Sequence, residues 1–338
     1  MSAAEEVVAE GHEAVEAVPK RATTLGTTTS LLVVAALLIT PLFVKNFIIF
    51  QMTMLLIYGL AVLALNILTG GSGQFSLGQS AFYAVGAYTS AVLMEHANIN
   101  YALTLPISAA VCFGFGYLFG KPALRLSGVY LALATFALAT AMPQLLKLNF
   151  LEHWTGGVQG LVVTKPDAPF GLSMSQDMWL YYFTLAVTIA IYIFSVNLLR
   201  SRSGRAFMAI RDNEIAASSM GVNVSLYKTL AFGVSAAITG VAGSLGAIAV
   251  QFVAPDSFTI NLAISLFLGM VVGGVGWLPG SFVGAAFIIF VPNMAESISK
   301  GLSGAVFGVL LFLVIYLVPH GARQVTLLAQ KKLSEGAR

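Results

Sequence analysis

The stretch Phe47-Ile48-Ile49-Phe50-Gln51-Met52-Thr53-Met54-Leu55-Leu56-Ile57-Tyr58-Gly59-Leu60-Ala61-Val62-Leu63-Ala64-Leu65-Asn66-Ile67-Leu68-Thr69 contains no formal charge. It matches the ~20 apolar residues a helix needs to cross a bilayer. A transmembrane β-barrel strand would alternate apolar with polar residues, and this block does not. Comparable runs recur along the chain, at about 30–44, 81–97, 102–120, 128–147, 178–199, 229–250, 260–275, 280–298 and 303–319. With 58% hydrophobic and 9% charged residues, against roughly 25% charged in soluble domains, the sequence predicts an all-α integral membrane protein. About ten transmembrane helices are expected, with broken or re-entrant segments and both termini cytoplasmic.

Charge placement sets the expected orientation. With the amino terminus inside, the cytoplasmic segments hold Lys20, Arg21, Lys121, Arg125, Arg200, Arg202, Arg205, Arg211, Lys228, Arg323, Lys331, Lys332 and Arg338, which are 13 of the 17 Lys and Arg. The other side receives Lys45, Lys147, Lys165 and Lys300, an asymmetry that fits the positive-inside rule. Residues 1–29 read as a disordered cytoplasmic tail, acidic and then Thr-rich. The expected membrane-spanning body covers 30–320, with a cytoplasmic loop at about 200–228 and an extracytoplasmic loop at about 148–177. Residues 321–338 form a second cytoplasmic tail. The start of the chain lacks the pattern of a cleaved secretory signal, so the first run is expected to remain as a membrane helix.

Several function classes drop out. The net charge of +3 sits beside membrane spans, which excludes a nucleic-acid partner and leaves membrane lipid. Cys112 is the single cysteine and lies inside an apolar run, so it reads as a small core residue. His12, His96, His153 and His320 are scattered, and the sequence implies no metal, no cofactor and no enzyme active site. No phosphate loop of the Gly-x-x-x-x-Gly-Lys-[Ser/Thr] type is present, so the chain cannot bind ATP in that manner.

Two glycine-rich interruptions stand out. Gly70-Gly71-Ser72-Gly73-Gln74-Phe75-Ser76-Leu77-Gly78-Gln79-Ser80 is uncharged, too polar for lipid, and must be buried in protein or line a cavity. It reads either as a solute-path segment or as a close-packed turn. Gly273-Gly274-Val275-Gly276-Trp277-Leu278-Pro279-Gly280 reads as a tight connection. The pairs Gly116/Gly120, Gly269/Gly273, Gly280/Gly284 and Gly304/Gly308 have the spacing of close helix packing. Glu95 and Glu296 lie near predicted outer span ends, and no acidic residue lies near a predicted span centre.

The polar stretch from Gly204 to Gly221 interrupts the apolar pattern in the second half of the chain. It mixes Arg205, Arg211, Asp212 and Glu214 with Ala216 and Ala217 and ends at a helix-stopping glycine. It predicts a short helix, at about 205–221, that docks on a partner. The small alanines permit close approach, and the charged residues fix register.

Together these blocks resemble a known family. Gly73-Gln74-Phe75-Ser76-Leu77-Gly78, Ala81 to Tyr88, Pro122 to Ala132, Thr155-Gly156-Gly157-Val158-Gln159-Gly160-Leu161, Gly204 to Gly221 and Gly269 to Gly280 occur in the same order. They resemble the permease subunits of ATP-binding-cassette importers for branched-chain amino acids, specifically the M-type partner of the leucine-isoleucine-valine systems. The resemblance covers most of residues 50–320. It implies two cytoplasmic ATPase subunits, a second homologous permease and an extracytoplasmic solute-binding protein as partners, in a bacterial-type inner membrane.

By that resemblance Arg205, Arg211, Asp212, Glu214, Ala216, Ala217 and Gly221 belong to the ATPase-coupling segment. Gln74, Ser76, Gln79, Ser80 and Thr140 are the candidates for the substrate path. Many family members are expected to carry histidine where Gln79 stands and an acidic residue near Thr140. This departure opens urea, small amides or aromatic acids as cargo beside branched-chain amino acids. A stand-alone secondary transporter or channel is the rival expectation.

Overall fold

A computed structural model describes residues 35–123, 128–168 and 174–298, together with 308, 309 and 316. Two units are distinguished, Met1–Lys45 and Asn46–Arg338. In the first, the described part is a helical stretch at 35–39 followed by a 3-10 turn, Thr40–Leu42. The expected tails at 1–29 and 321–338, residues 30–34 of the first expected span, and nearly all of the tenth lie outside the described residues.

The second unit is helical. Its long helices are α1 (Asn46–Asn66), α2 (Gln79–Ala97), α3 (Tyr101–Ala123), α4 (Val129–Leu146), α6 (Gln176–Arg200), α9 (Val224–Val250), α10 (Ile260–Gly273) and α11 (Gly280–Ile298). The short helices are α5 (Asn149–Thr155), α7 (Arg202–Asp212) and α8 (Glu214–Ser219). Among the described residues six helical segments are long and apolar enough to cross a membrane, and the chain is a multi-pass membrane protein. The expected third span, 81–97, is helical as α2 but more polar than those six, and the ninth forms the shorter apolar helix within α11.

α9 is the buried axis. From Ser235 to Ala249 almost every residue is inaccessible, although much of the run is Gly, Ala and Ser. Small side chains let backbones meet, which is how membrane helices gain packing contacts without a hydrophobic drive. A Cβ on Gly86 of α2 would lie 2.1 Å from the Gly240 carbonyl, and one on Gly243 would lie 2.0 Å from the Tyr83 carbonyl. Ser244 Oγ donates to Gly86 O at 3.1 Å across this contact. Cys112 fills the space above Gly240, buried as its apolar surroundings predict.

The spaced glycines act as packing contacts. A Cβ on Gly273 would lie 2.1 Å from Gly280 O, and one on Gly284 1.8 Å from Gly269 O, so α10 and α11 pack backbone to backbone. Gly116 of α3 lies against the methyl group of Ala236 of α9, which a Cβ there would meet at 2.4 Å. Of the fourth pair, Gly304 lies outside the described residues.

The 148–177 connection is folded where it is described. Its strand β1 (Leu161–Val162) pairs antiparallel with β2 (Phe252–Val253), in register Leu161 to Val253. Lys147 Nζ meets Asp256 at 2.6 Å, and Lys165 pairs with Asp177. These contacts fasten the loop over the far ends of α4 and α9.

Candidate functional site

The opposite end of the bundle gathers the broken segment, the polar insert and the second glycine turn. α1 does not stop cleanly: it widens into a π turn, Ile67–Gly71, then leaves helical geometry at Ser72. Gly73 takes φ +73°, a left-handed conformation that glycine adopts without strain. Helix resumes at Gln79. Ser72, Gln74, Ser76, Gln79 and Ser80 are all buried, while Gly73 and Phe75 are exposed, so the polar side chains of the irregular segment are enclosed by protein.

The insert is not the single helix expected over 205–221. It is an elbow of two, α7 and α8, broken at Asn213. That residue has extended backbone (φ −158°, ψ 110°), and its side chain accepts from Ala216 N at 3.0 Å. Asparagine serves here as the cap that ends one helix and starts the next, a role its short side chain fills better than a helix interior. Gly221, at φ +81°, then turns the chain toward α9.

The expected coupling residues divide between two faces. Arg205, Asp212, Glu214, Ala216 and Gly221 are exposed, while Ala217 is buried against the chain's own interior. Ala217 is therefore a packing residue and not part of the outer surface. That surface carries apolar side chains instead, Ile215 at 79% and Met220 at 85% exposure. Arg205 donates to Arg200 O at 3.2 Å. Glu214 pairs with Lys228 at 2.6 Å, and Arg211 forks onto Asp212 Oδ1 through Nε and Nη2 at 3.0 and 2.9 Å. A cavity of about 230 Å³ lies between elbow and broken segment, lined by Gln74, Phe75, Leu131, Ile210, Asp212 and Glu214 among others.

The expected path residues are only partly brought together. Gln74 Nε2 donates to Ser72 Oγ at 2.9 Å and to Lys228 O at 3.2 Å, while its Oε1 has no partner. Ser76 Oγ accepts from Gly78 N at 3.2 Å, and Ser80 Oγ is fully buried without a partner. Gln79 is engaged at both ends. Its Nε2 donates to Ser235 Oγ at 3.0 Å, and its Oε1 accepts from Thr239 at 2.7 Å. Ser235 in turn donates to Ala64 O at 2.8 Å. Gln79 thus joins α1, α2 and α9, with its amide committed to that task.

Thr140 stands apart. It is exposed on α4 and donates to Phe136 O and Ala137 O in its own helix. α4 reaches the broken segment one and a half turns earlier, where Leu77 N donates to Thr135 Oγ1 at 2.9 Å. Two residues escaped the sequence reading: Asn66 and Asn213. A polar amide near the end of an uncharged apolar span was the available sign for Asn66.

Comparison with known proteins settles the family. Residues 47–318 match the family described as branched-chain amino acid transport system / permease component. The chain belongs to this permease family. It is 32% identical over 307 residues to the high-affinity branched-chain amino acid transport system permease protein LivM of Salmonella typhimurium, covering 84% of this chain and 71% of that one. The LivM protein of Escherichia coli strain K12 is similar to the same degree, 32% over 308 residues, covering 84% and 72%. The autoinducer 2 import system permease protein LsrC of an Enterobacter species (strain 638) is 29% identical over 204 residues, 56% of each chain. No solved structure matches this permease.

Proposed function

We propose that this chain is one permease subunit of an ATP-binding-cassette importer, forming half of a translocation path for branched-chain or related amino acids across a bacterial-type inner membrane. Two separate ATPase subunits drive it through the α7–α8 elbow. The observation that carries this reading is the elbow itself: a capped, two-helix projection at the arginine-rich end of the bundle. Its exposed residues include Ile215, Ala216 and Met220 together with Arg205, Asp212 and Glu214. Exposed apolar side chains accompanied by charged ones suit a docking surface.

That end is the cytoplasmic one by the positive-inside rule, since Lys121, Arg200, Arg202, Arg205, Arg211 and Lys228 belong to its connections. The loop with Lys147 and Lys165 then faces outward, toward a solute-binding protein. Both termini are cytoplasmic in this reading, with spans at about 30–44 and 303–319 completing ten.

A second homologous permease closes the path. The exposed face of α4 bearing Phe136, Thr140 and Gln144 is assigned to that shared surface, with Gln74, Ser76 and Ser80 near its inner mouth. Closure of the ATPases on ATP moves the elbow, and the two permeases rock between access states. The autoinducer 2 import relative has the same permease framework under another cargo name, so cargo is tested with a panel. The experiment is capture of leucine, isoleucine, valine, urea and aromatic acids by the cognate binding protein, followed by uptake through the assembled transporter. Branched-chain amino acids are expected; uptake of another class alone would reassign the cargo.

A further inference from the structure

We propose that Arg211 and Asn66 are positioning residues of a rigid strut, which makes the elbow, the π turn of α1 and the Gly274–Trp277 turn move as one body. The proposal rests on the reading that the elbow docks an ATPase, and it adds where the displacement goes. The elbow is joined by the chain only to α6 and α9. The strut carries its motion to the α10–α11 turn, to which the elbow has no direct chain connection.

The first joint is between Arg211 and Gly70. The π turn that follows α1 ends here, so its last carbonyls lack helical donors. Arg211 Nη1 donates to Gly70 O at 2.8 Å, while the remaining guanidinium nitrogens hold Asp212. The guanidinium's planar fork fixes both directions at once, which an ammonium cannot do. Gly73 packs on the same side chain, where a Cβ would lie 3.1 Å from Arg211 Cγ.

Gly70 is also the face of the second joint. A Cβ there would lie 2.4 Å from Gly276 N and 2.7 Å from Asn66 Oδ1, so the π turn and the α10–α11 turn touch without slack. Asn66, one turn earlier and buried, grips that turn with its whole amide. Oδ1 accepts from Gly276 N at 2.6 Å, and Nδ2 faces Trp277 O at 3.0 Å, Gly274 O at 3.3 Å and Ser281 Oγ at 3.3 Å.

Separating the two turns would strip the buried Asn66 amide of its partners, together with Gly276 N, Gly274 O and Trp277 O. Sliding the whole assembly strands none of them. On the far side of the elbow, Gln74 Nε2 on Lys228 O and Lys228 on Glu214 close a parallel tie. The broken segment is therefore held to the elbow at Gly70 directly and at Gln74 through Lys228.

The test uses the assembled transporter, with ATPases, partner permease and one labelled copy of this chain. Cysteines are placed at Met208 of α7 and at Val275, exposed at 37% and 45%, for spin labelling, which leaves Ile215, Ala216 and Met220 untouched for docking; the native Cys112 is buried and stays unlabelled. A second pair joins Met208 to Val158 in the far loop. Pulsed electron–electron double resonance distances are compared between nucleotide-free and ATP-bound, hydrolysis-blocked states. The strut predicts an unchanged 208–275 distance and a shifted 208–158 distance. In Arg211→Ala and Asn66→Ala the 208–275 distance becomes broad and nucleotide-dependent, and the milder Arg211→Lys, which keeps charge without the fork, shows the same change to a smaller extent.

A nucleotide-dependent 208–275 distance in the chain with Arg211 and Asn66 intact would overturn the strut, as would distances in all three variants identical to it. Failure of the ATPases to co-purify with the unmodified chain would instead overturn the docking reading and the strut with it. Co-purification with a shifting 208–275 distance would overturn the strut alone.

Discussion

The carboxylate of Glu214 lies 2.6 Å from the ammonium of Lys228, tying the start of α8 to the first turns of α9. The Lys228 side chain is 15% exposed and that of Glu214 53%. Solvent screening limits the worth of such a partly exposed pair to less than about 1 kcal/mol. Glu214→Gln is therefore expected to leave thermal stability nearly unchanged while lowering uptake per ATP hydrolysed. Parallel melting and coupled transport assays check this, and a large loss of stability with normal coupling would make the pair purely structural.

Asn213 is expected to govern the shape of the elbow. Asn213→Ala removes the cap on Ala216 N, a change that costs about 1 kcal/mol at a helix start. Hydrogen exchange over Glu214–Ser219 should accelerate, and ATPase recovery on the permease should fall. Asn213→Ser or Asn213→Asp, which can still cap, should restore both.

Gly70→Ala introduces a methyl group where Gly276 N would stand 2.4 Å away. The two turns must part, so transport is expected to fall severely while helical content by circular dichroism is kept. Gly128→Ala is a useful contrast: a Cβ there meets nothing within 4 Å, although its φ of +55° adds backbone strain.

Gln79 separates a structural role from a solute-contact role. Gln79→Leu leaves the hydroxyls of Ser235 and Thr239 without their side-chain partner. Interhelical hydrogen bonds in membranes average about 0.6 kcal/mol and reach about 1.7 kcal/mol, so a loss of about 1–2 kcal/mol is expected in detergent unfolding. Substrate KM should not move. A raised KM with unchanged stability would return Gln79 to the substrate path.

How far the sequence reveals this arrangement depends on the length scale of the signal. Solid apolar blocks such as 47–69 are set by bilayer thickness, and the helices found at α1, α3, α4, α6 and α9 follow them closely. Both glycine-rich interruptions proved to be real breaks, because left-handed or crowded backbone at Gly73, Gly274 and Gly276 demands that residue type. The roles of single polar residues were less legible. Arg211-Asp212-Asn213-Glu214 reads as continuous helix until Asn213 is seen to cap, a choice made by local geometry. Gln79 and Thr140 were placed from a family pattern; tertiary packing commits the first to α9 and turns the second outward.

The most direct measurement is uptake into proteoliposomes by this chain with its partner permease and binding protein, with and without the ATPase subunits and ATP. Cargo accumulation only when ATPases and ATP are both present, abolished by substitutions at Ile215 and Met220 that block docking, is the predicted result. Equal uptake by the permease without any ATPase would contradict it.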